Sequence, residues 1–136
     1  MNARAAYYAR KDSRFASFLQ EGRAFGPHGE GLIIANSIEH YDDTLSQALT
    51  AQTLQANLEL RGLGFKPYVA PALSSGALSV LLCLRGKWHC SSQYLGGIFL
   101  GAKNRLTAAG PAVEQLPLPD GLFRRLENTT ALLHNI

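Results

Sequence analysis

Between Asp42 and Gly64 the chain carries Leu45, Ala48, Leu49, Gln52, Ala56, Leu60 and Leu63, apolar or small residues apart from Gln52. Those intervals hold one face of a helix for about five turns. Asp42 or Asp43 supplies an N-cap, and Gly62 and Gly64 supply stops. Leu45, Leu49, Ala56 and Leu60 should therefore face a core while Gln47 faces away. Ala51, Leu54 and Leu58 form a second stripe on another side. A helix that is apolar on two sides is either sandwiched within the fold or used against a partner. Cover from a helix carrying Phe15 and Phe18, or from one carrying Leu122, Phe123 and Leu126, is the expectation. A homodimer seam is the alternative.

Around this helix the expected elements are short. Asp12 and Ser13 cap a first helix with Phe15, Phe18 and Leu19, ending near Gly22, which leaves residues 1–11 as a flexible start. A turn through Gly26, Pro27, His28, Gly29, Glu30 and Gly31 leads to a buried strand at residues 32–35. Residues 65–70 read as a strand pushed toward an edge by Pro67, and residues 77–84 as a central apolar strand. Strand, long helix and strand predict a parallel right-handed crossover. Ser91 or Ser92 caps a third helix carrying Leu95, Ile98, Phe99, Ala102 and Leu106; a strand is the rival reading, because Gly96, Gly97 and Gly101 disfavour a helix. Residues 111–119 form a proline-containing linker, and Asp120 caps a last helix with Leu122, Phe123, Leu126 and Leu133 inward. The fold class predicted is α+β: one small domain over residues 1–136, with a mixed sheet of three or four strands, a long central helix and flanking helices.

At 136 residues with 46% hydrophobic and 17% charged content, the chain suits one folded domain. No apolar run approaches the roughly 20 residues that span a bilayer, so no membrane partner is expected. Cys83 and Cys90 read as free thiols, which makes a cytoplasmic setting the default.

Charge is segregated. Residues 61–113 hold Arg61, Lys66, Arg85, Lys87, Lys103 and Arg105 without an acid, whereas residues 24–60 hold Glu30, Glu39, Asp42, Asp43 and Glu59 without a lysine or arginine. Such separation creates fields that steer partners. Within the cationic block, Arg85, Lys87, Trp88, His89, Ser91 and Ser92 leave an apolar run and enter a candidate helix start. A helix N-terminus and serine hydroxyls suit an anion, and Trp88 suits stacking. Lys103 and Arg105 extend the same basic surface. The bland reading is a solvated basic strand edge with Trp88 packed inward.

No catalytic pattern stands out. His28, His40, His89 and His134 lack zinc spacing, so no metal is expected. Adjacent His89 and Cys90 would point to opposite faces of a strand, which leaves Cys90 inert. No Walker or dinucleotide glycine pattern occurs, and no cofactor is expected. These residues predict a small non-enzymatic binding or regulatory protein whose basic surface meets nucleic acid, a nucleoprotein complex or another acidic partner. One alternative is a protein-interaction module or inhibitor using Leu54, Leu58 and the acidic corner at Asp42 and Asp43. The other is a small enzyme with a cysteine–histidine site.

Overall fold

The computed structural model describes residues 1–64 and 70–135. Its helices are α1 (Asn2–Lys11), α2 (Phe18–Glu21), α3 (Asp43–Gly62), α4 (Ala70–Leu84) and α5 (Asp120–His134), with a 3₁₀ turn at Ser13–Phe15. Its strands are β1 (Arg23–Phe25), β2 (Ile33–Ala35), β3 (His89–Leu95), β4 (Ile98–Thr107) and β5 (Gly110–Val113). The α+β class holds. The strands divide between an antiparallel β1–β2 pair and an antiparallel β3–β4–β5 sheet.

β2 is the wall between two cores. Ile34 joins Ala5, Tyr8, Ala9, Phe15, Phe18, Leu32 and Leu49 on one side. Ile33 and Ala35 turn the other way, with Ile38 and Leu122, toward α5. This is the period-two alternation of a strand buried on both faces. Away from β1, Ile34 finds its partners on α3 rather than on another strand. Its N–H donates to Thr50 Oγ1 at 2.9 Å, and its carbonyl accepts from Ser46 Oγ at 2.7 Å. Two hydroxyls on a helix thereby satisfy a strand edge that would otherwise be buried unpaired.

α3 begins and ends where the caps predict, with Asp42 Oδ1 accepting from Leu45 N at 2.8 Å. Leu49 is fully buried, Leu45 and Ala56 pack on the first core, and Gln47 is exposed. The side chain of Leu60 lies outside the description. The second stripe splits. Leu54 packs on the first core, while Ala51 is exposed and Leu58 is 61% exposed. The face that hydropathy understates is Ser46, Thr50 and Thr53, all buried and each hydrogen-bonded to a backbone carbonyl.

Other elements differ from expectation. α1 forms where a flexible start was read, because Ala5, Tyr8 and Ala9 make a weakly hydrophobic but buried stripe. The helix expected from residue 12 is divided between the 3₁₀ turn and α2. Of residues 65–70, positions 65–69 lie outside the description. Residues 77–84 belong to α4 rather than to a central strand, so the parallel crossover is overturned. A long uncharged run carries no phase, and only its end was readable. Gly86 (φ +61°) donates to Cys83 O and Lys87 N to Leu82 O, a glycine-closed helix C-terminus. The helix proposed from Ser91 is also overturned, since residues 89–107 form the β3–β4 hairpin. Leu95 pairs with Ile98 across Gly96 (φ +57°) and Gly97 (φ +92°), a two-residue turn that glycine permits. At the other end, Asp120 is the first residue of α5 but not its cap, since Pro119 holds the N-cap position without a side-chain cap bond; Leu122 is fully buried, but Phe123 is exposed.

β1 is tied to the second sheet by a bridge between Gly26 and Gly101, whose N–H and carbonyl groups exchange bonds of 3.2 Å. A Cβ on Gly101 would lie 2.6 Å from Gly26 O. Gly101→Ala should therefore part the two sheets and cost about 1–3 kcal/mol, as over-packing against backbone does. A chemical-denaturation midpoint equal to wild type would contradict that.

Candidate functional site

The bridge sets one wall of a cleft of about 1130 Å³ between α1, β1, the residue 26–31 turn, α4 and the β3–β4 hairpin. Arg4, Arg10, Arg23, Lys103, His28 and His89 line it, and among the described residues no aspartate or glutamate does. Cations without acids in a concave site concentrate positive potential and favour an anionic guest.

Glu114, outside that lining, orders two of the cations. Arg23 Nε is 2.6 Å from Glu114 Oε2 and Arg23 Nη2 is 3.0 Å from Oε1, a two-pronged contact, and Lys103 Nζ is 3.0 Å from Oε1. Burial alone would raise the Glu114 carboxyl, but hydrogen bonds from Arg23 and Lys103 outweigh it and hold it below the usual range. Cys90 pairs across the strands with Lys103, and burial raises its thiol despite the neighbouring cations. It is not an activated nucleophile.

The two imidazoles differ. His89 is buried; its Nδ1 lies 3.0 Å from Lys87 O and its Nε2 lies 3.2 Å from Ser91 Oγ. Ser91 is in turn bonded by Asn104 Nδ2 at 2.9 Å, and Gln93 Nε2 donates to Asn104 Oδ1 at 3.1 Å. This closed network satisfies buried polar groups on one face of β3 and β4. His28 has no hydrogen-bond partner among the described residues and is exposed in the glycine turn, where Gly26, Gly29 and Gly31 all have positive φ. Sequence reasoning passed over His28, whose only signal is that cluster of glycines around an imidazole.

Of the other sequence candidates, Trp88, Ser91 and Ser92 line the cleft with His89 and Lys103, whereas Arg85, Lys87 and Arg105 do not. Arg85 and Lys87 are exposed at the α4–β3 turn. Trp88 lines the cleft, with Arg105 over its ring at 4.7 Å and Lys103 at 5.9 Å. Ser91 and Ser92 sit in β3, so no helix N-terminus cradles an anion there. Asp42 caps α3, and Asp43 accepts from Tyr41 Oη at 2.7 Å and Gln47. The hydrogen bond from Tyr41, ahead of smaller effects, holds the Asp43 carboxyl below its usual range. Arg125 Nη1 binds Tyr41 Oη at 2.9 Å and Ser46 Oγ at 2.7 Å, which locks α5 onto α3 rather than extending a basic surface. Glu21, Glu39 and His40 bring ligand atoms within 4.8 Å of one another, and this is the candidate metal group found among the described residues. Glu21 already accepts from Ser37 Oγ, the main reason its carboxyl is held low.

No protein-family model matches the chain, and no curated protein matches it by sequence. Solved structures do match. Malate dehydrogenase from Archaeoglobus fulgidus in complex with NADH superposes with a TM-score of 0.70 at 18% identity, over 98% of this chain and 48% of that one. The chain shares the fold of about half of a malate dehydrogenase. The malate dehydrogenase from Aeropyrum pernix gives 0.68 at 17% identity, covering 98% and 51%. That from Plasmodium falciparum gives 0.66 at 14%, covering 98% and 50%. The chain thus spans about half the length of these malate dehydrogenases.

This finding overturns the expected non-enzymatic binder of nucleic acid or of a protein partner, with its regulatory and interaction alternatives. The structures that share its fold are malate dehydrogenases. Charge segregation misled because net charge along a sequence says nothing about which cations the fold collects. His89 and Cys90, the residues of the enzyme alternative, do alternate across β3. Among the described residues no helix is long and apolar enough to cross a membrane.

Proposed function

We propose that this chain is the acid-binding part of a dehydrogenase-type enzyme, holding a small hydroxy acid of the malate kind in the α1–β1–β4 cleft. The observation that carries the reading is the absence of any carboxylate from a cation-lined cleft, on a fold whose solved neighbours are malate dehydrogenases. A hydroxy acid brings a carboxylate, which suits the guanidinium groups. It also brings a hydroxyl whose proton must leave when its carbon is oxidised. His28 is the imidazole in the cleft with free ring nitrogens, and it takes the role of base.

The described residues do not make a site for a dinucleotide such as the NADH bound by the A. fulgidus enzyme. The sequence has no nucleotide-binding glycine pattern, and every described strand pair is antiparallel, without a strand–helix–parallel-strand unit. The role proposed for this chain is therefore confined to holding the acid and moving its proton. A cytoplasmic location belongs to the same proposal, supported by two free cysteines.

Calorimetric titration with L-malate tests the reading, with propane-1,2-diol as the uncharged control. Saturable binding of malate that weakens with salt is expected, with the His28 ring resonances shifting in parallel and those of His40 unmoved. Heats equal to those of the diol would overturn the acid site, and malate binding with His28 unmoved would overturn its role as base.

A further inference from the structure

His89 and Ser91 stand on one face of β3, and both line the cleft. Residues two apart in a strand are side by side, so the neighbour of the imidazole is a hydroxyl, while Cys90 turns to the other face. The backbone sets the ring tautomer. Lys87 O can only accept, so His89 Nδ1, 3.0 Å from it, carries the ring proton. Nε2 is then the basic nitrogen, and it lies 3.2 Å from Ser91 Oγ. The other acceptor near that hydroxyl, Asn104 Oδ1, is 3.3 Å away and already takes a bond from Gln93 Nε2 at 3.1 Å. The Ser91 proton therefore faces a base whose second nitrogen is held by a third group, the arrangement that activates a serine. Asn104 Nδ2 donates to Ser91 Oγ at 2.9 Å and Gln93 Nε2 lies 3.4 Å from it, and both favour negative charge on that oxygen. His89 and Asn104 are buried, whereas Ser91 is only half-buried.

We propose that Ser91 and His89 form a second reactive centre in the cleft, one that hydrolyses carboxylic esters bearing a negative charge. Ser91 Oγ bonds to the ester carbonyl carbon as its proton passes to His89 Nε2, and the charge moves onto the carbonyl oxygen. When the carbonyl re-forms, the ester C–O bond breaks and the departing alcohol oxygen takes the proton from Nε2. Water then adds to the acyl carbon and gives a proton to Nε2. The Oγ–C bond breaks, Ser91 recovers that proton, and the acid is released. No electron acceptor is required and His28 takes no part, so this activity stands apart from the hydroxy-acid reading. The preference for an anionic ester comes from the basic lining, which contains no carboxylate among the described residues. The Lys87 carbonyl occupies the place that a carboxylate holds in a serine triad. Being neutral, it stabilises the imidazolium less, and turnover is slow.

Wild type is treated with diisopropyl fluorophosphate and its peptides are mapped by mass spectrometry. Hydrolysis of mono-p-nitrophenyl succinate is compared with that of p-nitrophenyl acetate. The phosphoryl group should sit on Ser91, and labelled protein should lose its esterase activity. Ser91→Ala should abolish turnover and His89→Gln should lower it by roughly a hundredfold. His40→Gln, which removes an exposed imidazole, should leave it unchanged. The succinate ester should react faster than the acetate at low salt, an advantage that shrinks as salt is added. Wild type left unlabelled at Ser91 would overturn the centre, a result that no misfolded variant can obscure. Turnover that survives in Ser91→Ala but is lost in His28→Gln would overturn it as well, by assigning the hydrolysis to the exposed imidazole. Equal rates for the two esters at low salt would overturn the substrate class.

Discussion

Replacing Phe15 by alanine is expected to destabilise the protein by about 3–5 kcal/mol, the range for a fully buried aromatic ring. Phe15 is fully buried in the 3₁₀ turn that follows α1, and it packs in one core with Ala5, Tyr8, Phe18, Ile34 and Leu49. Those neighbours come from α1, α2, β2 and α3, so no single element can shift to fill the space the ring leaves. For a domain whose total stability lies at about 5–15 kcal/mol, such a loss is a third or more of the whole. Urea unfolding followed by circular dichroism measures it. A loss below about 1 kcal/mol would mean that α1 and the 3₁₀ turn do not pack as described.

The second large effect belongs to Glu114. In Glu114→Gln, Arg23 and Lys103 lose their common counter-charge behind the cleft. The three side chains are only 17–30% exposed. Breaking a fully buried pair costs about 3–5 kcal/mol, and partial exposure reduces this to roughly 2–3 kcal/mol. Because the Glu114 carboxyl is held low in the folded protein, its contribution is present above the unfolded carboxylate range. It is lost as pH falls through the lower folded value. Wild-type stability should therefore drop in acid below about pH 4.5. The variant should start lower at neutral pH and lose less over the same interval. Parallel stability–pH curves for the two proteins would remove Glu114 as the source. The same variant frees two cations, so malate affinity should not fall with stability. A matching fall would place Glu114 itself in the binding geometry.

Where local chemistry was strong, the sequence was sufficient. Asp42 and Gly64 bound a 20-residue helix because an acidic cap and a stop glycine with positive φ act within one turn, whatever the rest of the chain does. Leu49 faces inward because its helical phase leaves no other side for it, and β2 reads as buried because three apolar residues stand between turns. The α+β class follows from those pieces. The run ending at Leu84 went wrong for an equally local reason. Uncharged from end to end, it shows neither a two-residue nor a 3.6-residue period, and the Arg85–Gly86 stop was the only sign of a helix.

The site was only partly legible in the sequence: Trp88, His89, Ser91, Ser92 and Lys103 read as one group and line the cleft, whereas Arg4, Arg10, Arg23 and His28 do not stand out along the chain. Arg23 and Glu114 are 91 positions apart, and nothing in their neighbourhoods announces the pair. The cleft draws Arg4, Arg10 and Arg23 from the first 23 residues but, among the described lysines and arginines of the cationic block, takes only Lys103. Arg85 and Lys87, two of the cations the sequence singled out, are exposed to water. Ser46 and Thr50 read as the polar side of α3, yet they complete the edge of β2. What the sequence determined by itself is the set of helices with strong caps and the strand with no polar residue, since both depend on residues within a few positions of one another. What only the tertiary structure decided is which cations share a cavity and which keep a partner. Those choices are made by backbone contacts such as Gly26 against Gly101, which bring distant segments together and leave no pattern along the chain.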